Sequence, residues 1–390
     1  MTAPVSAASL MTTTATGTDA PGSPVPWPRL AGLGPNWFAS VMGTGIVANA
    51  AATLPMHLPM HLPGHLPGHL PGLLDVARVV WVLDVLVLVL ISTASVLHVR
   101  HHREVARGHL ADPVRSQFYG AVPMALLTVG AGALLVGLPV VGQSVAVALD
   151  AVLWTLGTVL GLTTAVLVPY RMFTSHRVGP DAASGVWLMP VVPPMVSAAT
   201  GPLLAPYLPA GQPRLTLVLA CSAMFGLTLV VSLVLIGLIW SRLVQHQVGA
   251  AVAAPTLWIV LGPLGQSITA AHTIGALGPS TLPAPYGTAL QAAGVVYGVP
   301  VWGFAALWLA LATALTVRAL RAGMPFTMTW WSFTFPVGTV VTGTSGLALA
   351  TGAHVLAALA VLLYAALVAT WAVVATRTTL GVLAGRLLPA

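Results

Sequence analysis

The chain has no lysine, one cysteine and seven acidic residues in 390. Each shortage excludes something. A single cysteine, Cys221, rules out an intrachain disulfide and any paired-cysteine redox or zinc motif. Charged residues make up 5%, against roughly 25% in soluble domains, so a soluble fold is excluded. The net charge of +7 comes entirely from arginine. Those arginines are scattered at the ends of apolar runs rather than gathered in a patch, so no nucleic-acid partner is expected. No nucleophile–base pair and no phosphate-binding glycine loop is present, so no enzyme activity and no cofactor is expected.

What the chain does contain is apolar sequence, at 57% of residues. A membrane span takes about 20 such residues. Ten runs qualify: Trp37–Leu54, Ala77–His98, Gln117–Val141, Ser144–Val168, Gly185–Leu208, Leu215–Trp240, Pro255–Ala276, Ala289–Leu315, Phe326–Ala350 and His354–Thr376. The arginines support this count. Arg29, Arg100, Arg103, Arg107, Arg115, Arg171, Arg177, Arg242, Arg318, Arg321, Arg377 and Arg386 fall on one side, and only Arg78 and Arg214 on the other. Cytoplasmic loops carry the arginine excess, which places both termini inside a plasma or inner membrane. The reading is an all-α integral membrane protein of ten helices, residues 34–376. A disordered tail (1–33) precedes it and a short cytoplasmic tail (377–390) follows.

Residues 55–75 form a His-Leu-Pro-Gly low-complexity loop. His57, His61, His65 and His69 recur every four residues, a spacing that would stack them on one helix face. Pro59, Pro63, Pro67 and Pro71 forbid that helix, so no metal site is expected.

Odd and even spans differ in kind. Even spans are mostly plain aliphatic. Odd spans carry breakers: Pro123, Pro190, Pro263 and Pro336 in spans 3, 5, 7 and 9, and the Gly43-Thr44-Gly45 triplet in span 1. Phe118, Trp258 and Trp331 stand five residues before three of those prolines, and Trp37 five before Met42. Span 5 departs from this, with Trp187 displaced by two. The pattern suggests five tandem helical hairpins in pseudo-fivefold order, odd helices around a central pore and even helices facing lipid. The prolines are expected to kink or open the odd helices.

The odd spans contain almost no charge but many hydroxyls and amides. Pore-lining candidates are Gly43, Thr44, Gly45, Pro123, Pro190, Pro193, Pro194, Ser197, Pro263, Gln266, Ser267, Pro336 and Thr339. Such groups solvate a passing anion without holding it; a cation path would call for rings of Asp or Glu. Two carboxylates at membrane depth, Asp84 and Asp150, lie on even spans. Either they pair with arginine or a polar group, or they carry protons in a coupled transporter. An aromatic beside Pro336 is a candidate plug.

MGTGI in span 1, MPVVPPMVSAATGP in span 5, PTLWIVLGPLGQS in span 7 and WWSFTFPVG in span 9 resemble the tellurite-resistance/dicarboxylate transporter family, which includes the plant slow anion channels. The resemblance covers about Gly34–Val374. It implies ten helices as five hairpins, a homotrimer with one pore per subunit, and an aromatic gate in the ninth helix. Phe335 matches that gate, with Phe333 as the alternative. The implied substrate is a small anion, a C4-dicarboxylate such as malate first. Tellurite or sulfite efflux, or a gated inorganic anion channel, is the alternative.

Overall fold

The computed structural model describes residues 27–55 and 72–388. The His-Leu-Pro-Gly run from Met56 to Pro71 and the first 26 residues lie outside them. In chain order the α-helices are α1 (Phe38–Thr53), α2 (Leu73–His101), α3 (Arg103–Ala111), α4 (Ala121–Gly132), α5 (Leu138–Val141), α6 (Gln143–Thr174), α7 (Pro193–Thr200), α8 (Gln212–His246), α9 (Leu261–Thr281), α10 (Tyr286–Arg321), α11 (Phe335–Thr351) and α12 (His354–Leu383). No strand occurs among the described residues.

Among the described residues, eight segments are long and apolar enough to cross a membrane. The first and fifth of the ten expected spans are not among them. Helix α1 has 16 residues, and proline splits the fifth segment into Gly185–Leu188, the eight-residue α7 and Gly201–Tyr207. Both are nonetheless buried along most of their length.

Burial separates the segments into two shells. The segments containing α4, α9 and α11 bury 67%, 78% and 89% of their most apolar stretch; α2, α6, α8, α10 and α12 bury 17–28%. Exposed aliphatics such as Leu86, Val166, Val230 and Leu362 cover the outer helices. A helix apolar on all sides, and left exposed, belongs in lipid.

The inner helices close a ring. Each packs on the next in the order α1, α4, α7, α9, α11 and back to α1. Each outer helix packs on its own inner partner: α2 on α1, α6 on α4, α8 on α7, α10 on α9 and α12 on α11. Each also reaches the inner helix of the following hairpin.

Tryptophan makes that second contact directional. Trp81 of α2 donates to the Val129 carbonyl of α4 (3.1 Å), and Trp154 of α6 to the Ser197 carbonyl of α7 (3.0 Å). Trp302 of α10 donates to Thr344 of α11 (2.9 Å), and Trp371 of α12 to Thr44 of α1 (3.1 Å). Two of the aromatics that precede a proline make the contact within their own hairpin. Trp258 donates to Thr316 of α10 and Trp331 to Thr378 of α12. Apolar burial does not favour helix association inside a bilayer, so small residues and hydrogen bonds between helices supply the specificity.

The expected breaks at the prolines take the form of changes in helix type. Every inner segment begins with 3-10 turns: Pro35–Trp37, Arg115–Gly120, Gly185–Leu188, Ala251–Val260 and Met328–Phe333. Pro123, Pro193, Pro263 and Pro336 then sit in the first turn of α4, α7, α9 and α11. In a first turn the missing N–H has no partner to lose, so the proline marks a 3-10-to-α junction. Pro190 lies between helices, where its carbonyl accepts from Thr164 of α6. One true distortion is a π-helical turn, Ala133–Gly137, after α4.

Two terminal boundaries also move. The fold begins before residue 34: Pro28–Gly32 forms a 3-10 turn, Leu33 is buried, and the Leu30 carbonyl lies 2.7 Å from His98 Nδ1. At the other end α12 runs to Leu383, seven residues past the expected stop at Thr376.

Candidate permeation pathway

Two chambers lie inside the ring, and all five inner segments line both. The first, a narrow space of about 20 Å³, is at the 3-10 ends, the side on which most arginines fall. Its wall is apolar and rich in thioether: Met42, Met124, Met189 and Met328, with Phe118 and Ile259. The second, about 70 Å³, lies toward the far ends of the helices and carries more polar side chains, Asn49, Thr128, Thr200, Gln266, Thr269 and Thr342, although the surface it exposes is mostly apolar.

Phe335 lines both chambers, and no other described residue does. It is 2% exposed, at the first position of α11, with Thr334 as N-cap and Pro336 behind it. The backbone there is fixed by Thr334 Oγ1 donating to the Trp331 carbonyl (2.7 Å) and by the Gly338 amide donating to the Thr334 carbonyl (3.0 Å). A phenyl ring thus stands between a thioether chamber and a hydroxyl–amide chamber. Phe333 lines neither. It packs edge-on against Trp258 and Trp330, with centroids 5.2 and 5.6 Å away. Arg377 covers Trp330 on its other side at 5.2 Å.

Of the thirteen pore-lining candidates, Gln266 and Pro336 line a chamber. The others pack between helices. Thr44 donates to the Ser40 carbonyl and accepts from Trp371. Gly43 lies against Trp331 and Thr334, and Gly45 against Asp84. Ser197 accepts from Thr158, Ser267 accepts from Tyr297, and Thr339 donates to the Leu261 carbonyl. Pro123, Pro190, Pro193, Pro194 and Pro263 are buried at the junctions just described.

The residues that do line the chambers follow a helical period the sequence displays. Met42, Ile46, Asn49 and Thr53 of α1 are spaced i, i+4, i+7, i+11. Met124, Thr128, Ala131 and Leu135 repeat this after α4 begins, and Gly262, Gln266, Thr269 and Thr273 repeat it in α9. That spacing is one face of a helix.

Hydrogen bonds hold the polar wall in place. Asn49 Nδ2 donates to the Thr128 carbonyl (3.0 Å), Thr273 to the Ala199 carbonyl (3.1 Å), and Thr269 shares a bond with Thr342 (2.8 Å). No Asp, Glu, Arg or His lines either chamber among the described residues. Asp84 and Asp150 are fully buried behind the wall, and neither has a hydrogen-bond or arginine partner there. The expected pairing with arginine is absent among the described residues. Arg78, the nearest arginine in sequence, pairs with Asp75. No group of three potential metal ligands occurs among the described residues.

A closed ring of inner helices around an uncharged axial path, sheathed by lipid-facing helices, is the build of a multi-pass transporter or channel. Residues 32–379 match the family described as voltage-dependent anion channel, and the chain belongs to that family. It is 27% identical over 325 residues to a sulfite efflux pump of Trichophyton rubrum, and 28% over 325 to one of Arthroderma otae, covering 82% of each chain. It is 28% identical over 309 residues to an uncharacterized transporter of Methanocaldococcus jannaschii, covering 79% of this chain and 81% of that one. The family and these relatives are transporters or channels, not enzymes.

Proposed function

We propose that the chain carries a small anion along the ring axis, through both chambers, and that Phe335 is the plug between them. The observation that carries this is the shared position of Phe335 on both chamber walls. The uncharged wall supports an anion over a cation, because a cation path calls for rings of Asp or Glu and none lines the chambers among the described residues. The arginine-rich face is taken as cytoplasmic, in a plasma or inner membrane, and the assembly as a homotrimer with one pore in each subunit.

Sulfite is the substrate we place first. Relatives named as sulfite efflux pumps favour it. No cationic side chain lines the chambers among the described residues to clamp the two carboxylates of malate. Malate is the second reading, and a gated inorganic anion path the third. Flux into proteoliposomes separates them: sulfite, malate and chloride, each with wild type and Phe335→Ala. Sulfite flux that rises at least several-fold in Phe335→Ala supports the reading. Unchanged flux of every anion in that variant removes the plug, and malate flux exceeding sulfite flux reverses the substrate order.

A further inference from the structure

We propose that Asp84 is a proton-binding site coupled to the polar chamber, so that proton and anion occupancy favour one another. This rests on the anion-pathway reading above.

Asp84 sits midway along α2 with no exposed surface, and neither carboxylate oxygen has a partner. The space for it is built into the partner helix. A Cβ on Gly45 of α1 would collide with Asp84 Oδ2, and would also meet the Thr128 methyl of α4 at 2.8 Å. The carboxyl therefore lies in a glycine notch that Thr128 also borders, and Thr128 lines the second chamber. One helical turn beyond Gly45, Asn49 lines the same chamber and leaves its Oδ1 without a partner. Three orphaned acceptor oxygens, two of Asp84 and one of Asn49, thus gather behind and in one stretch of chamber wall.

Among the described residues, nothing nearby offers a compensating charge. Helices α1 and α4 and the π-helical turn, which pack against α2, contain no titratable side chain. On α2 itself Asp75 and Arg78 pair with each other near its start. The remaining neighbours, Pro28–Gly32 with Arg29 and α3 with its histidines, meet α2 at its far end around His98. An unpaired buried carboxylate is costly in a membrane, and a proton is the counter-charge left to this one. The step is a simple exchange: the carboxylate takes a proton from hydronium in the chamber and releases water, then returns the proton the same way. While deprotonated it repels an anion in the chamber that Thr128 lines. Protonated, it does not, and by linkage a resident anion raises proton occupancy by the same factor.

Asp150 is a built-in comparison. It occupies a second notch, where a Gly130 Cβ would lie 2.7 Å from Oδ1, on the other flank of α4. Gly130 lines neither chamber.

The test measures proton movement with a pH dye trapped in proteoliposomes, during flux of chloride, whose own protonation is negligible. Wild type and Asp150→Asn are expected to move protons with the anion. Asp84→Asn is expected to pass the anion and lose the proton movement, and Thr128→Val to slow it. Proton movement surviving in Asp84→Asn overturns the proposal. Wild type that carries no anion refutes the anion-pathway reading instead. Infrared difference spectra of detergent-solubilised protein then decide the site alone. A carboxylic-acid band that shifts on adding chloride and vanishes in Asp84→Asn sustains the proton site; its absence from wild type overturns it.

Discussion

Trp371, on the last helix, donates its indole N–H to Thr44 on the first, at 3.1 Å across a sequence separation of 327 residues. It is the closing member of a set in which outer helices clasp the inner helix of the next hairpin. Without it the fifth hairpin meets the first through shape alone. Trp371→Phe keeps the ring and removes the donor. An interhelical hydrogen bond in a membrane is worth about 0.5–2 kcal/mol. Trp371→Phe and Thr44→Val should each lower the melting temperature in detergent by a few degrees, and the double variant by no more than the larger single effect. Additive losses would mean the two side chains act independently.

Phe335 and Phe333 are two residues apart, yet have opposite surroundings. Phe335→Ala opens a passage between the chambers and should raise anion conductance, at a stability cost on the order of 3–5 kcal/mol because the ring is buried in the core. Phe333→Ala removes two edge-to-face pairs, with Trp258 and Trp330, from a packed cluster. It should cost about 3–5 kcal/mol of stability and leave conductance per folded channel unchanged. Single-channel recording separates the two, and thermal melting checks both costs. If Phe333→Ala raises conductance, the plug extends beyond Phe335.

These pairs show how far the sequence could be read. The alternation of broken and plain segments is carried by proline, glycine and hydropathy, so the inner and outer shells were legible in it. Phe335 is marked in the sequence only as an aromatic beside a proline; its position between the two chambers comes from the fold. Chamber lining was not read from residue type. Thr44, Ser197, Ser267 and Thr339 are polar, but each is spent on a hydrogen bond between or within helices. A hydroxyl in an apolar span faces a pore or locks a neighbour with equal chemical logic. The i, i+4, i+7, i+11 run through Met42, Ile46, Asn49 and Thr53 carries the missing direction. The tryptophan clasps needed three dimensions, because two of their acceptors are backbone carbonyls that any residue supplies and the other two are threonine hydroxyls unmarked in the sequence.

Gly45 gives a test of packing that is independent of transport. An added methyl overlaps the Asp84 carboxylate, which is buried. Gly45→Ala should therefore cost about 1–3 kcal/mol, the usual range for overpacking. Shortening the partner in Gly45→Ala/Asp84→Ala should recover most of the loss, measured as melting temperature in detergent. A double variant as unstable as Gly45→Ala would place the clash with Thr128 instead.

The corner between α2 and α3 predicts how stability varies with pH. His109 is buried there, its ring stacked on His98 at 5.3 Å and 7°. Burial pushes its pKa down from 6.5 to about 4, with His98 and Arg115 adding in the same direction and Asp112 opposing. The folded state therefore holds His109 neutral in a range where the unfolded chain has it protonated. Between about pH 6.5 and 4 the unfolded state binds more protons, so stability rises with pH across that window. It is fully present above 6.5 and lost as pH falls toward 4. At pH 5 the loss is on the order of 1–2 kcal/mol, after discounting for partial solvent screening. Amide exchange of α3 should accelerate at pH 5 relative to pH 7.5 by more than the intrinsic rate change. His109→Gln, which does not titrate there, should show only the intrinsic change. Equal behaviour of wild type and His109→Gln would mean that the corner opens for another reason, with the carboxylate of Asp112 the next group to test.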